Sequence, residues 1–227
     1  MQAVILAAGK GTRMRPLTYN MPKPMVPLLG KPKLEHTFEM LPGEIDEIIL
    51  IVNYLGEQIE KYFGEKFGNK KIHYVFQKEL NGTGGAIHSA RDFLRDEFLV
   101  MMGDDLYHRK DIETLLQFPL GLVAKKVGNA SQFGVVEVDD SHNFAGIVEK
   151  PEGVNEGYVN TGLYKLNNNF FDYPLVPISQ TEYGLPQTLL SMAKEHPVKV
   201  IPATMWMPLG KVEDVEEAER TLAEFMK

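Results

Sequence analysis

Cysteine is absent from the 227-residue sequence, which excludes disulfides, thiol nucleophiles and cysteine-bound zinc and favours a cytoplasmic setting. No apolar run approaches the ~20 residues that span a bilayer. No charged segment precedes the first apolar stretch, so neither a membrane segment nor a secretory leader is expected. The net charge is −7 and the isoelectric point lies near 5.4, so the broad basic face of a nucleic-acid binder is missing too. The histidines, at 36, 73, 88, 108, 142 and 196, lack metal-ligand spacing, and no serine-nucleophile elbow occurs. There is no internal repeat and no low-complexity stretch. What remains is an ordinary globular composition, 44% hydrophobic and 24% charged, long enough for a substantial core.

One absence has a location. The first 34 residues contain no acid, yet hold Lys10, Arg13, Arg15, Lys23, Lys31 and Lys33. They carry +6, so the rest of the chain must carry −13 to reach −7. A solvated face usually mixes signs; an island of one sign suits a cleft that gathers a small polyanion. Within it, a short apolar strand from Ala3 to Leu6 runs into Ala7-Ala8-Gly9-Lys10-Gly11-Thr12-Arg13. Two glycines there let bare backbone N–H groups approach a phosphate at the end of a strand. The block Pro22-Lys23-Pro24 fixes a further lysine on stiffened backbone.

The hydrophobic rhythm predicts the fold. Lys31 to Leu41 reads as a helix stopped by Pro42-Gly43, and the apolar run Ile45 to Val52 as a buried parallel strand. Leu55 to Phe63 follows as an amphipathic helix, Ile72 to Phe76 as a strand, Ala86 to Leu94 as a helical stripe and Phe98 to Met102 as a fourth strand. This alternation implies a doubly wound parallel sheet with helices on both faces. From about residue 120 the texture becomes β-rich: Leu122 to Val127, Gly134 to Val138, Ala145 to Val148 and Tyr158 to Leu166. These strands continue the first sheet. Gly184 to Ala193 reads as a helix, Val198 to Ile201 as a strand, and Val212 to Met226 as a closing helix with Val215, Ala218, Leu222 and Phe225 inward. The expected class is α/β, a Rossmann-like doubly wound mixed sheet with a β-rich insert in a single domain, 1–227.

Two familiar phosphate motifs fail. A Walker loop needs Ser or Thr after its lysine, and the dinucleotide fingerprint needs glycine where Met14 stands. Leu6 to Thr18 followed by Pro22-Lys23-Pro24 instead resembles the signature of the sugar-phosphate nucleotidyltransferases, L-A-[AG]-G-x-G-[TS]-R-[LM]-x-P-L-T and then P-K-P. The resemblance implies a nucleotide-binding half, 1–118, and a sugar-binding half, 119–227. It implies that Leu6, Ala7, Ala8, Gly9, Gly11, Thr12 and Arg13 bind nucleotide, with Gly103. Gln77, five residues before Gly82-Thr83, resembles the base-reading loop of members that use UTP or dTTP. A glutamine amide suits the donor–acceptor edge of a pyrimidine. Asp104, following Gly103 at a strand's carboxyl end, takes the position of an Mg²⁺ ligand, so Mg²⁺ is the expected cofactor. Gly134 after Phe133, Glu149-Lys150-Pro151 and Asn160-Thr161-Gly162 resemble the elements that bind the sugar and its phosphate.

One stretch departs from the family. Its usual W-x-D-[IL]-G-[TS] supplies a second metal-binding Asp, but here the run is Trp206-Met207-Pro208-Leu209-Gly210-Lys211. Proline cannot ligate. Three readings follow: Asp104 and the triphosphate hold the metal with extra waters, Asp105 or Asp214 compensates, or turnover is weak.

The implied reaction is attack by a sugar 1-phosphate oxygen on the α-phosphorus of a nucleoside triphosphate, releasing pyrophosphate. Arg13, Lys23 and Asp104 are its expected catalytic residues: Arg13 on the β- and γ-phosphates, Lys23 on the α-phosphate, with Lys10 and Arg15 adding field. The alternatives are a weakly active or regulatory nucleotide-sugar binder and a guanylyl- or cytidylyltransferase acting on another phosphate. No nucleic acid or membrane partner is expected, and assembly into a homo-oligomer stays open. The sequence carries no C-terminal β-helix of the kind seen in longer members, so acetyl transfer is not expected.

Overall fold

The computed structural model describes residues 1–225, with side chains through Leu222. Its centre is a ten-stranded mixed sheet. Gln2–Leu6 lies mid-sheet and pairs in parallel with Glu47–Val52 on one side and Glu97–Met102 on the other, and Lys70–Phe76 extends the parallel set beyond Glu47–Val52. The three central strands read as near-continuous apolar runs because both faces are covered, whereas Lys70–Phe76, farther out, alternates buried and exposed residues. Beyond Glu97–Met102 the sheet turns antiparallel with the long strand Gly157–Asn167, which also pairs with Gly121–Val127 and Gly134–Val138. Phe144–Glu149 forms one edge, and Lys199–Pro202 runs parallel to Gly121–Val127. The sheet is therefore continuous through both halves of the chain.

Helices cover both faces. One core cluster joins Ala86 and Ile87 of α3 (Gly82–Ser89) and Leu185 and Leu189 of α5 (Leu185–Ala193) to sheet residues Val4, Ile49 and Val100. The opposite cluster joins Leu34 and Phe38 of α1 (Lys33–Met40), Ile59 and Phe63 of α2 (Gly56–Phe63) and Ile112 and Leu115 of α4 (Arg109–Leu116) to Ile5, Leu50 and Met101. A third, smaller cluster packs Val215, Ala218 and Leu222 of α6 (Val212–Phe225) on Met14, Val26, Leu28, Leu106 and Leu209. That cluster seats the acid-free segment against the closing helix. The inward side chain expected of Phe225, and the helix end expected at Met226, lie outside the described residues.

The structure changes one of these expectations and adds two elements. The helical stripe at Ala86 begins earlier, because α3 starts at Gly82 and takes the glycine run as its first turn, and it ends at Ser89 with a separate 3-10 turn at Arg91–Phe93. Helix α4, capped by the His108 ring accepting the Lys110 N–H at 3.2 Å, had not been anticipated. Asp105 opens a further short strand, Asp105–Tyr107, paired antiparallel with Trp206–Pro208.

Candidate active site

Parallel strands in one direction put their carboxyl ends on one side, and the loops that follow gather there. Ala7 donates its N–H to the Ile51 carbonyl at 2.8 Å, Gln77 to Val52 at 2.9 Å and Gly103 to Leu6 at 2.9 Å. These bonds hold the starts of three loops side by side. A cavity of about 490 Å³ opens among them, within the usual size for small-molecule sites. Of the expected nucleotide residues, Leu6, Ala7, Ala8, Gly9, Gly11, Thr12, Arg13, Gln77, Gly82 and Thr83 line it, as do Lys23 and Asp104.

The basic loop is shaped by its own turn chemistry. Gly11 takes a left-handed conformation at φ +61°, and a Cβ there would stand 2.8 Å from the Lys23 Cβ. The Thr18 hydroxyl donates to the Gly11 carbonyl at 2.7 Å, and Met14 donates its N–H to the same oxygen at 2.9 Å. Met14 is buried, so the 3-10 turn Thr12–Met14 is pinned from below while Thr12 and Arg13 remain exposed.

The six cations of the acid-free segment do not act as one field. Lys10, Arg13 and Lys23 line the cavity. Arg15 turns instead to the Tyr19 ring, 5.1 Å from its centroid, and Lys31 pairs with Glu39 at 2.5 Å. Lys33 is fully buried, donating to the Leu209 carbonyl at 3.3 Å and contacting Met14 Sδ at 3.5 Å. Burial lowers its pKa to about 8, against the opposing pull of Asp104. Lys33 thus ties the basic turn to the segment before α6. Arg15, expected to add field strength, is not part of the cavity lining.

Asp104 and Asp105 divide the work of two adjacent carboxylates. Asp104 faces the cavity and forms an ion pair with the Lys23 ammonium. Asp105 turns to the Trp206–Pro208 strand, where its carboxylate accepts the Trp206 indole N–H at 3.0 Å and the Leu209 N–H at 3.4 Å. Its pKa is pushed up to about 7, first by burial and then by the neighbouring Asp104 charge. Pro208 lies opposite Asp105 in the ladder, and Asp214 accepts the Lys211 N–H at 2.7 Å at the start of α6. Among the described residues no three His, Cys, Asp or Glu side chains form a metal cage. Mg²⁺ is commonly held by one or two carboxylates together with substrate phosphates and waters. The residues present therefore fit a cation that arrives with a triphosphate and meets Asp104.

Gln77 is buried rather than exposed, and its amide is oriented. Its Nε2 donates to Asn81 Oδ1 at 3.1 Å and to the Gly82 carbonyl at 3.4 Å, so the Oε1 acceptor is left for a ligand. Gly103 does not line the cavity; its N–H is bonded to Leu6, and a Cβ there would stand 2.9 Å from that carbonyl.

The residues of the expected sugar side stand apart from this cavity lining. Gly134 and Glu149 are paired across the sheet edge, and Lys150, exposed, takes a left-handed φ of 45° while donating its N–H to the Phe133 carbonyl at 2.9 Å. Asn160 donates to the Tyr164 hydroxyl at 2.6 Å and accepts the Gly162 N–H at 3.1 Å. Thr161 is buried and its hydroxyl donates to the Val123 carbonyl at 2.7 Å, at the point where the register of Gly157–Asn167 shifts between Asn160 and Leu163. The cavity also takes in Pro24, Leu80, Ala86, Met102, Glu182 and Gly210. The stripe containing Ala86 was readable; nothing local to Glu182 pointed to the site, since the fold brings it beside Gly82.

The chain matches a family model described as nucleotidyl transferase over residues 2–224. The "Bifunctional protein GlmU" of Methanocaldococcus jannaschii is 40% identical over 225 residues, covering 98% of this chain and 54% of that protein. The chain thus spans about half the length of such curated relatives. The "UTP--glucose-1-phosphate uridylyltransferase AglF" of Haloferax volcanii is 30% identical over 99% of this chain and 97% of its own length. Among solved structures, HddC from Yersinia pseudotuberculosis complexed with GMP-PN superposes with a TM-score of 0.76 at 28% identity, covering 97% of this chain and 99% of that one. A Bacillus anthracis protein assigned as a glucose-1-phosphate thymidylyltransferase, in complex with a sucrose, superposes with a TM-score of 0.86 at 22% identity, covering 100% of this chain and 97% of that one. The latter likeness speaks for the fold alone.

Proposed function

The chain belongs to the nucleotidyl transferase family, and on that premise we propose that it transfers a nucleotidyl group from UTP or dTTP to a sugar 1-phosphate. An oxygen of the sugar phosphate attacks the α-phosphorus, the bond to the bridging oxygen breaks, and pyrophosphate leaves with the displaced charge. The carrying observation is that Gly11, Arg13, Lys23 and Asp104 line one cavity at the carboxyl ends of parallel strands. A phosphate monoester is mostly dianionic at neutral pH, so the reaction asks for positioning and electrostatics more than for a general base.

In this reading the amides and glycines from Ala8 to Thr12 cradle the triphosphate, Arg13 holds its β- and γ-phosphates, and Lys23 bridges the α-phosphate and the incoming phosphate. Asp104 would hold Mg²⁺, which when bound neutralises charge on the phosphate oxygens. Lys23 then exchanges its carboxylate partner for phosphate. Gln77 offers only an acceptor, which suits the N3–H of uracil or thymine and disfavours cytosine and adenine, whose corresponding ring nitrogen is itself an acceptor. Glu149, Lys150, Gly134 and Asn160 are the proposed sugar-phosphate residues, in the half 119–227 of a single domain whose half 1–118 takes the nucleotide. The cytoplasm is the proposed setting; no described helix is long and apolar enough to cross a membrane.

A second reading, guanylyl transfer, draws support from the 28% identical HddC complex with GMP-PN. A guanine N1–H also suits an acceptor at Gln77. The test is pyrophosphate release from each nucleoside triphosphate crossed with a panel of sugar 1-phosphates, with and without Mg²⁺. Fastest release from UTP or dTTP, dependent on Mg²⁺, is expected. Fastest release from GTP selects the second reading, and tight nucleotide-sugar binding without release from any pair makes the protein a binder.

A further inference from the structure

The turn that opens α5 touches both sides of the proposed site. Tyr183 donates its N–H to the Asn81 carbonyl at 2.8 Å, and Leu185 donates its N–H to the Thr83 hydroxyl at 3.0 Å. The turn is thereby fastened to the first turn of α3. Two residues on, Gln187 donates its Nε2–H to Glu149 Oε1 at 2.9 Å. Glu149 is otherwise an exposed side chain at the end of an edge strand, with its carboxylate beside Gly134: a Cβ there would stand 3.1 Å from Oε1 and 3.2 Å from Oε2.

The other end of the Gln187 amide behaves differently. Its Oε1 is buried without a hydrogen-bond partner in the protein. A buried carbonyl without a donor is unfavourable, and Gln187 is only half-buried, so a side chain free to swing outward would be better solvated. It is kept in place by packing, in space that exists because residue 184 is glycine; a Cβ on Gly184 would collide with this amide. The consequence is one well-directed donor aimed at Glu149.

We propose that Gln187 is a positioning residue for the sugar phosphate. It engages one carboxylate oxygen of Glu149 and so directs the other toward a sugar hydroxyl. A long exposed glutamate loses rotamer freedom when it binds; an amide that fixes it beforehand removes part of that cost. The Tyr183–Leu185 bonds to Asn81 and Thr83 make the turn a rigid base for that amide. The proposal rests on the sugar-side reading of Glu149 given above.

Gln187→Met keeps the length and packing of the side chain and removes the donor. With the sugar 1-phosphate of highest kcat/KM in the panel, it is expected to raise that substrate's KM about five- to tenfold, with kcat falling less than twofold. The Kd of the nucleoside triphosphate, measured by calorimetry, should move less than twofold. Gln187→Glu, which sets a like charge against Glu149, should raise the sugar-phosphate KM further, and it provides the same reading if the methionine variant does not fold. In a Glu149→Ala background, Gln187→Met should add less than twofold, because contacting groups that act as a pair are not additive. The same factor in both backgrounds overturns the positioning role while leaving Glu149 on the sugar side. An unchanged sugar-phosphate KM in Glu149→Ala overturns the sugar-side reading, and this proposal with it.

Discussion

Lys23 and Asp104 form an ion pair across the cavity lining, one from the acid-free segment and the other from the end of the strand Glu97–Met102. Each holds the group that a bound metal–triphosphate would compete for: the carboxylate a cation needs and the ammonium a phosphate needs. Asp104→Ala is therefore expected to lower kcat at least about 100-fold, the range seen when one preorganised charge contact is lost at a transition state. It should also flatten the dependence of rate on Mg²⁺. Pyrophosphate release titrated with Mg²⁺ checks both.

Gly11 sits where neither a Cβ nor a right-handed backbone fits. Its φ is +61°, and a Cβ would meet Lys23. Gly11→Ala forces a left-handed alanine, costing roughly 1–2 kcal/mol, and pushes Lys23 out of place. A melting midpoint lower by about 2–8 °C is expected for a chain of this size, together with a weaker nucleotide Kd. Thermal melts and calorimetry provide the two readings.

Gln77 keeps its donors for Asn81 and Gly82, so replacing it removes an acceptor and nothing else that a base would read. Gln77→Leu is expected to reduce the preference for UTP over CTP, as a ratio of kcat/KM, by about 10- to 100-fold. Parallel rate curves with the two triphosphates measure it.

Asp105 gives the stability of the protein a pH signature. Its folded pKa is raised to about 7, above the unfolded value near 4. Between those values the folded state binds more protons than the unfolded one, so this group's contribution is full below about pH 4 and is lost as pH rises to 7. The loss has an upper limit of about 4 kcal/mol. The melting midpoint of Asp105→Asn minus that of the unaltered protein should therefore increase from pH 4 to pH 7 and level off above it. Scanning calorimetry across that range tests the sign.

The parallel strands were readable because burial on both faces leaves runs such as Ile48 to Val52 almost wholly apolar. The acid-free segment was readable because charge composition survives without coordinates. Other features depend on contacts distant in sequence. Gly82, Gly84 and Gly85 argue against a helix by propensity, yet α3 begins there; they are glycines because the Tyr183 backbone lies against Gly82 and the Asn81 side chain against Gly85, leaving no room for a Cβ. The missed α4 did carry a signal in Ile112 and Leu115, three apart and both fully buried. Lys33 counted as one more cation of the acid-free segment, and only the packing of Met14 and Leu209 encloses it. The internal bond of the Thr161 hydroxyl follows from a shift in strand register whose one sequence mark is Gly162, a strand glycine with φ +79°.

The most direct measurement is a crystal structure of the protein with a non-hydrolysable UTP analogue and Mg²⁺, read for the position of the phosphates. The expected result is a triphosphate within hydrogen-bond distance of Gly11, Arg13 and Lys23, with the cation against Asp104. A triphosphate bound elsewhere, with that loop untouched and Lys23 still paired to Asp104, would contradict it.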